Sequence, residues 1–226
     1  MAVESRTVAL VQATPVSTLS NARPWLYRSF FKRPIEVALV VLASPVVLPL
    51  ILVLALLVML RDGGNPFYTQ KRIGMGGRSY RMWKLRSMVV DADKRLQDYL
   101  DSDPDIRREW ELTQKLRSDP RVTVMGKVLR ACSLDELPQL WNVVLGDMSL
   151  VGPRPMLPEQ QALYAGNGYY RVRPGITGFW QVAGRNRTSF AARAWYDDRY
   201  ERDVSFARDA GILVATVSVV MRRTGC

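Results

Sequence analysis

The chain of 226 residues is long enough for one catalytic domain with a buried core, and its 32 Lys and Arg against 21 Asp and Glu leave a net charge of +11. It contains no histidine, which excludes Ser-His-Asp and Cys-His nucleophiles, a histidine general base and zinc sites of the HExxH kind. Cys132 and Cys226 show no disulfide or metal-site spacing, so the chemistry must run on carboxylates, amines, guanidiniums, hydroxyls or a bound ion.

Residues 1–25 are mixed, contain Ser, Thr and Pro, and hold no sustained period; they read as a poorly ordered leader. Residues 26–62 read as a membrane unit. Val37 to Leu60 is a run of 24 residues without a charge, ~36 Å long as a helix against a hydrocarbon core of roughly 30 Å. It begins too late, runs too long and lacks the small-residue cleavage site of a signal peptide. Pro45 and Pro49 interrupt its middle, and the Ser44 hydroxyl can satisfy a carbonyl freed there. Both flanks are basic: Arg23, Arg28, Lys32 and Arg33 before, and Arg61, Lys71, Arg72, Arg78 and Arg81 after. Positive residues favour the cytoplasmic side, so a re-entrant helix broken at Ser44-Pro45 satisfies both ends where a straight span does not.

Residues 63–226 are expected to form the cytoplasmic-face catalytic part, one functional domain with 26–62. Pro66 to Met88 alternates around Gly74-Met75-Gly76-Gly77 and predicts a small β-hairpin; these glycines have neither dinucleotide-binding nor Walker spacing. Asp91 to Leu116 predicts a solvated helical pair interrupted at Pro104, and Gly126–Arg130 and Leu134–Leu145 predict two further helical pieces. Proline-rich Gly152-Pro153-Arg154-Pro155 and Arg173-Pro174-Gly175 follow. Phe206 to Met221, with Arg222 and Arg223 behind it, predicts an interfacial amphipathic helix. The expected fold is α+β and mainly helical, in a monotopic membrane protein.

Ser133 and Glu136 match a capping box, and two carboxylates in a first turn suit the helix dipole. On spacing alone the Asp135-Glu136 pair is more often a cap than a catalytic site, although the same dipole keeps Asp135 ionised, as a carboxylate nucleophile requires. Arg154 is held stiffly between two prolines. Together with Lys84, Arg86, Arg130, Arg171 and Arg173 it serves either a lipid-surface patch or a polyphosphate site. The pI of about 10.0 also allows nucleic-acid binding, but no recognition motif accompanies it and much of the charge flanks the membrane segment.

Leu129-Arg130-Ala131-Cys132-Ser133-Leu134-Asp135-Glu136-Leu137-Pro138-Gln139-Leu140, followed by Gly146-Asp147-Met148-Ser149-Leu150-Val151-Gly152-Pro153-Arg154-Pro155, resembles the bacterial sugar transferases, the monotopic polyprenyl-phosphate phosphoglycosyl transferases. The likeness extends to Trp83-Lys84-Leu85-Arg86-Ser87-Met88, to Arg173-Pro174-Gly175-Ile176-Thr177-Gly178 and to Gln181-Val182. Five motifs in order, from Lys32 to Arg223, make it specific. The short members that start exopolysaccharide repeat units are the most similar.

The resemblance implies a re-entrant helix broken at Ser-Pro, Asp135 as nucleophile, and Glu136 as a Mg²⁺ ligand. It implies that Lys84, Arg86, Arg130, Arg154, Arg173 and Gln181 lie at or near the phosphate-binding site. Asp197 falls where the family has a functional acid, with Asp198 beside it. It further implies transfer of a hexose 1-phosphate, galactose or glucose, from a UDP-sugar to undecaprenyl phosphate. UMP would leave and an aspartyl-phosphosugar intermediate would form. The expected partners are those substrates and the phospholipid bilayer of the inner membrane, with the catalytic part facing the cytoplasm; no nucleic acid is expected, and a homodimer is allowed. Two departures from the family stand out: Lys32-Arg33-Pro34-Ile35-Glu36 has Glu where Asp is usual, and Asp203 stands where many relatives have Asn.

Overall fold

The computed structural model describes residues 24–113, 116, 119–183 and 190–221. Most of the expected leader, together with Arg222 and Arg223, lies outside the described residues. A short helical turn, Pro24–Leu26, and a π-turn, Tyr27–Phe31, lead into α1, Lys32–Asp62. The antiparallel hairpin β1, Phe67–Ile73, and β2, Ser79–Leu85, follows, turning at Met75–Gly77 as the alternation and the glycines predict. Next come α2, Ala92–Ser102; α3, Pro104–Thr113; α4, Val124–Ala131; and α5, Gln139–Leu145. The expected helical pair divides at Pro104, which opens α3 because the first turn needs no donor from it. Two three-residue strands, β3, Ser149–Val151, and β4, Gly175–Thr177, pair in parallel, and α6, Gly168–Arg171, lies between them in the chain. The rest is helical: α7, Phe179–Ala183; α8, Phe190–Arg202; and α9, Phe206–Met221.

The chain is thus mainly helical with small sheets, and one segment, Tyr27–Asp62, is long and apolar enough to cross a membrane. The helix runs through both of its prolines. Pro45 cannot donate to the Val41 carbonyl four residues back, and the Ser44 hydroxyl donates to that same carbonyl at 2.7 Å. The expected break at Ser44-Pro45 is therefore a replaced hydrogen bond inside one helix, not an end of helical structure.

Both ends of α1 pack on the body. Near the N-terminus, Val40 shares a buried cluster with Met82, Val143 and Met148. Towards the C-terminus, Leu54, Ala55 and Val58 share another with Leu85 and Leu129. Between them Val41, Leu42, Val46, Leu48 and Leu50 are exposed apolar side chains. The N-terminal end is also held by a buried polar knot. Lys32 Nζ donates to Glu36 Oε1 at 2.9 Å, to the Val151 carbonyl at 3.0 Å, and to Asp209 of α9. Glu36 in turn accepts from the Ser149 hydroxyl and the Leu150 amide, so β3, α9 and α1 are fastened at one point. The Glu that departs from the family pattern reaches these partners.

A larger cluster of Val151, Val172, Phe179, Tyr200, Val204 and Ile212 joins β3 to α7, α8 and α9. α9 buries Ile212 and Ala215 and exposes Phe206, Val214 and Val217, the two-faced pattern expected of it.

Candidate active site

The acidic pair is built where α4 stops. A Cβ on Gly126 would lie 2.0 Å from the Ser87 carbonyl oxygen, so only glycine lets α4 lie this close to the end of β2. That approach lets Arg130 Nε donate to Ser87 Oγ at 2.9 Å. α4 ends at Ala131, and the chain turns through Ser133 at φ +56°, the one non-glycine residue with positive φ among the described residues. A left-handed serine costs roughly 1–2 kcal/mol. It swings the chain into a 3-10 turn, Leu134–Glu136, before α5 begins at Gln139.

This geometry replaces the expected capping box. The Ser133 side chain caps nothing, and Glu136 Oε1 accepts from Lys84 Nζ of β2 at 2.8 Å, with Arg154 Nη2 at 3.9 Å. Burial alone would raise the Glu136 carboxyl; Lys84 and Arg154 outweigh it and hold its pKa down at about 2. Asp135 is buried and pulled the other way. Burial raises its pKa, with Lys84 and Arg130 opposing and Glu136 reinforcing the rise. One neighbour is thus a fixed anion, and the other is a more basic carboxylate.

Arg154 reaches this place through close backbone contacts. A Cβ on Gly152 would lie 2.3 Å from the Arg173 carbonyl oxygen, so the Gly152-Pro153 segment lies directly against the entry to β4. The Gly175 amide donates to the Pro153 carbonyl at 2.8 Å, the Ile73 amide to the Met156 carbonyl at 2.9 Å, and Arg72 Nη1 to the Pro155 carbonyl at 3.2 Å. Arg72, Lys84, Glu136, Gln139, Arg154 and Ile176 line one small pocket.

The other expected residues are distributed around it. Arg86 donates to the Gly63 carbonyl at the C-terminal end of α1 and lines a separate cleft of about 330 Å³ with Asp62, Asp91, Arg95 and Thr123. Arg173 Nε donates to the Gly146 carbonyl at 3.0 Å, at the end of α5, where Arg33 also reaches the Val143 and Val144 carbonyls. These guanidiniums sit at helix C-termini, where the dipole favours a cation. Gln181 is buried on α7 and donates to the Ile176 carbonyl at 3.4 Å.

Asp197 and Asp198 separate cleanly. Asp198 accepts from the Gly168 amide at 2.6 Å and fastens the start of α6. Asp197 is buried, accepts from Tyr164 Oη at 2.9 Å, and lies 3.6 Å from Arg193 Nε. Burial pushes its pKa up to about 6 against the pull of Arg193. Burial and the like charge of Arg154 lower the Arg193 pKa, and Asp197 opposes them.

Reading the sequence missed Arg72, Gln139, Arg193 and Tyr164 as parts of this constellation. Arg72 counted only as flanking charge, and Gln139 only as a residue of the acidic motif.

Among the described residues no group of three or more His, Cys, Asp or Glu could hold a metal ion. The adjacent Asp135 and Glu136 still suit Mg²⁺, which takes one or two carboxylates, several waters and substrate phosphates rather than an all-protein cage.

The family described as bacterial sugar transferase matches residues 27–223. The chain is 43% identical over 198 residues to the UDP-galactose-lipid carrier transferase of Erwinia amylovora, covering 87% of this chain and 41% of that protein. It is 43% identical over 196 residues to the exopolysaccharide production protein ExoY of Sinorhizobium fredii, covering 86% of this chain and 87% of that protein. With the undecaprenyl-phosphate galactose phosphotransferase of Salmonella typhimurium it shares 40% over 198 residues, 87% of this chain and 41% of that protein. The chain therefore spans less than half of the Erwinia and Salmonella proteins and most of the Sinorhizobium one. The match takes in α1, the Asp135-Glu136 turn and the Arg154 segment together, and by it this chain belongs to the bacterial sugar transferase family.

Proposed function

We propose that this protein transfers a hexose 1-phosphate, galactose or glucose, from a UDP-sugar to undecaprenyl phosphate, the first membrane step in making an exopolysaccharide. The observation that carries the reading is Glu136 paired with Lys84 and Arg154 in a cationic pocket, with buried Asp135 next to it in the chain and under the charges of Lys84 and Arg130. The substrate names of the relatives point the same way.

In the first half-reaction Asp135 attacks the sugar-bearing phosphorus of the UDP-sugar. The bond from that phosphorus to the bridging oxygen breaks, and UMP leaves with the electron pair. In the second, a phosphate oxygen of undecaprenyl phosphate attacks the same phosphorus, and the Asp135 carboxylate is released. The obstacle is charge, because an anionic nucleophile must approach an anionic diphosphate. Lys84, Arg154 and Arg72 supply fixed positive charge to the phosphate oxygens. Glu136, with Asp135, would hold Mg²⁺, which when bound neutralises further phosphate charge. No histidine is needed: the second pKa of a phosphate monoester is near 6, so acceptor and leaving group are already largely ionised at neutral pH.

The membrane helix enters and leaves by the cytoplasmic face of the inner membrane and holds the pocket at headgroup level. In a straight helix Val40 and Val58 would stand ~27 Å apart, whereas Met82 and Leu85, in the clusters on which the two halves pack, are ~10 Å apart along β2. That contrast supports a helix bent at its prolines, with its exposed bend between Val41 and Leu50, and the basic flanks support its orientation.

UMP release, measured with a panel of UDP-sugars, undecaprenyl phosphate and Mg²⁺, tests the function. A galactose or glucose donor should give acceptor-dependent turnover. No release with any donor would overturn the reading.

A further inference from the structure

Gln139 is 2% exposed, lines the pocket beside Glu136 and Arg154, and its Nε2 has no hydrogen-bond partner. A buried amide without a partner costs roughly 1–3 kcal/mol, and the same amide aimed at an anion is a preorganised donor. The pocket around it is unbalanced in charge: it holds Arg72, Lys84 and Arg154 against Glu136. Arg72 uses its two terminal nitrogens on Gln70 and the Pro155 carbonyl, leaving its buried Nε without a partner. Arg193 likewise has Nε and Nη2 buried without hydrogen bonds, although Asp197 is its ion-pair neighbour. Burial and the like charge of Arg154 lower the Arg72 pKa to about 10, as expected of a guanidinium held without enough counter-charge.

We propose that Gln139 Nε2 is a donor to an oxygen of the phosphoryl group being transferred, completing with Arg72, Lys84 and Arg154 an anion site that takes a phosphoryl or diphosphate group. Gln139 sits three residues after Glu136 and four after Asp135, at the first position of α5. The turn that presents the nucleophile therefore presents this donor as well. Arg86 and Arg173 do not line this pocket; each donates to a backbone carbonyl at a helix end.

The inference rests on the phosphotransfer reading, and Gln139→Met tests it separately. Replacing an unpartnered buried amide with an apolar side chain of similar size is neutral or stabilising when the group has no structural role. The full chain in detergent or lipid is compared with the variant in two measurements. The first is the shift in Tm produced by inorganic pyrophosphate without metal. The second is UMP release with and without undecaprenyl phosphate.

The expected result is an unliganded Tm equal to or above that of the unaltered protein, loss of most of the pyrophosphate shift, and a fall in kcat of tenfold or more. A fall already present without acceptor places the contact in the donor half-reaction; a fall only with acceptor places it in the second. An unchanged pyrophosphate shift and unchanged turnover would overturn the proposal. A variant that fails to fold would overturn it too, since Gln139 would then have a structural partner. Should the unaltered protein bind pyrophosphate through Gln139 yet release no UMP from any donor, the anion site stands and the transferase reading fails.

Discussion

Lys84 Nζ and Glu136 Oε1 meet at 2.8 Å, joining the end of β2 to the residue after the candidate nucleophile. Both side chains are about four-fifths buried, with 18% and 20% of their surfaces exposed. A pair this enclosed is costly to split. Lys84→Met leaves Glu136 with the charges of Arg154 and Arg72 and should cost about 3 kcal/mol of stability, measured by denaturant unfolding. The Glu136 pKa is depressed, so its contribution is present above the ordinary carboxyl pKa and is lost as pH falls towards about 2. The difference between variant and unaltered protein should therefore shrink below pH 4. A difference independent of acid would show that the pair stabilises through packing rather than charge.

Asp135→Asn should abolish UMP release while leaving the protein membrane-bound. Because burial raises the Asp135 pKa, the ionised carboxylate is a burden on the fold at neutral pH. The neutral amide should leave Tm unchanged or raise it. Activity lost together with several degrees of Tm would mean misfolding instead, and substantial turnover by the variant would place the nucleophile elsewhere.

Asp197 gives a pH signature opposite in sign to that of Glu136. Its folded pKa is raised to about 6, so its contribution to stability is complete below the unfolded value and is lost as pH rises through about 6. The two-unit rise corresponds to a change on the order of 3 kcal/mol across that window. Asp197→Asn keeps a hydrogen-bond acceptor for Tyr164 and removes the titration. Its stability relative to the unaltered protein should climb between pH 4 and 7. A flat difference would refute the assignment of this titration to Asp197.

The topology has its own test. With Cys132 and Cys226 replaced by Ser, single cysteines at Trp25 and Arg61 bracket α1. An impermeant thiol reagent should label both only from the cytoplasmic side, in inverted vesicles and not in intact spheroplasts. Labelling of Trp25→Cys from the periplasm would establish a straight span.

Local rules made much of this molecule legible. The uncharged run announced a helix long and apolar enough to cross a membrane, alternation around glycine announced the hairpin, and Phe206–Met221 announced a two-faced helix. Ser44 could be read as the partner of a carbonyl freed by proline because donor and acceptor are close in the chain. β3 and β4 escaped because three residues are too few for a period, and their pairing joins Ser149 to Gly175 across an intervening helix.

The sequence by itself determined which chemistry was open, through the missing histidines and the adjacent Asp135 and Glu136. It left that pair looking like a helix cap. Only the tertiary structure decided otherwise, through a left-handed Ser133 that turns the pair away from capping and sets Glu136 against Lys84 and Arg154. Tertiary placement also sorted the arginines: Arg86 and Arg173 went to helix ends, while Arg72, Arg154 and the unpartnered Gln139 met in the pocket. The physical reason is range. Capping, alternation and proline act over a few residues, whereas a charge pocket is made by groups far apart in the chain, and its electrostatics depend on burial that only packing creates.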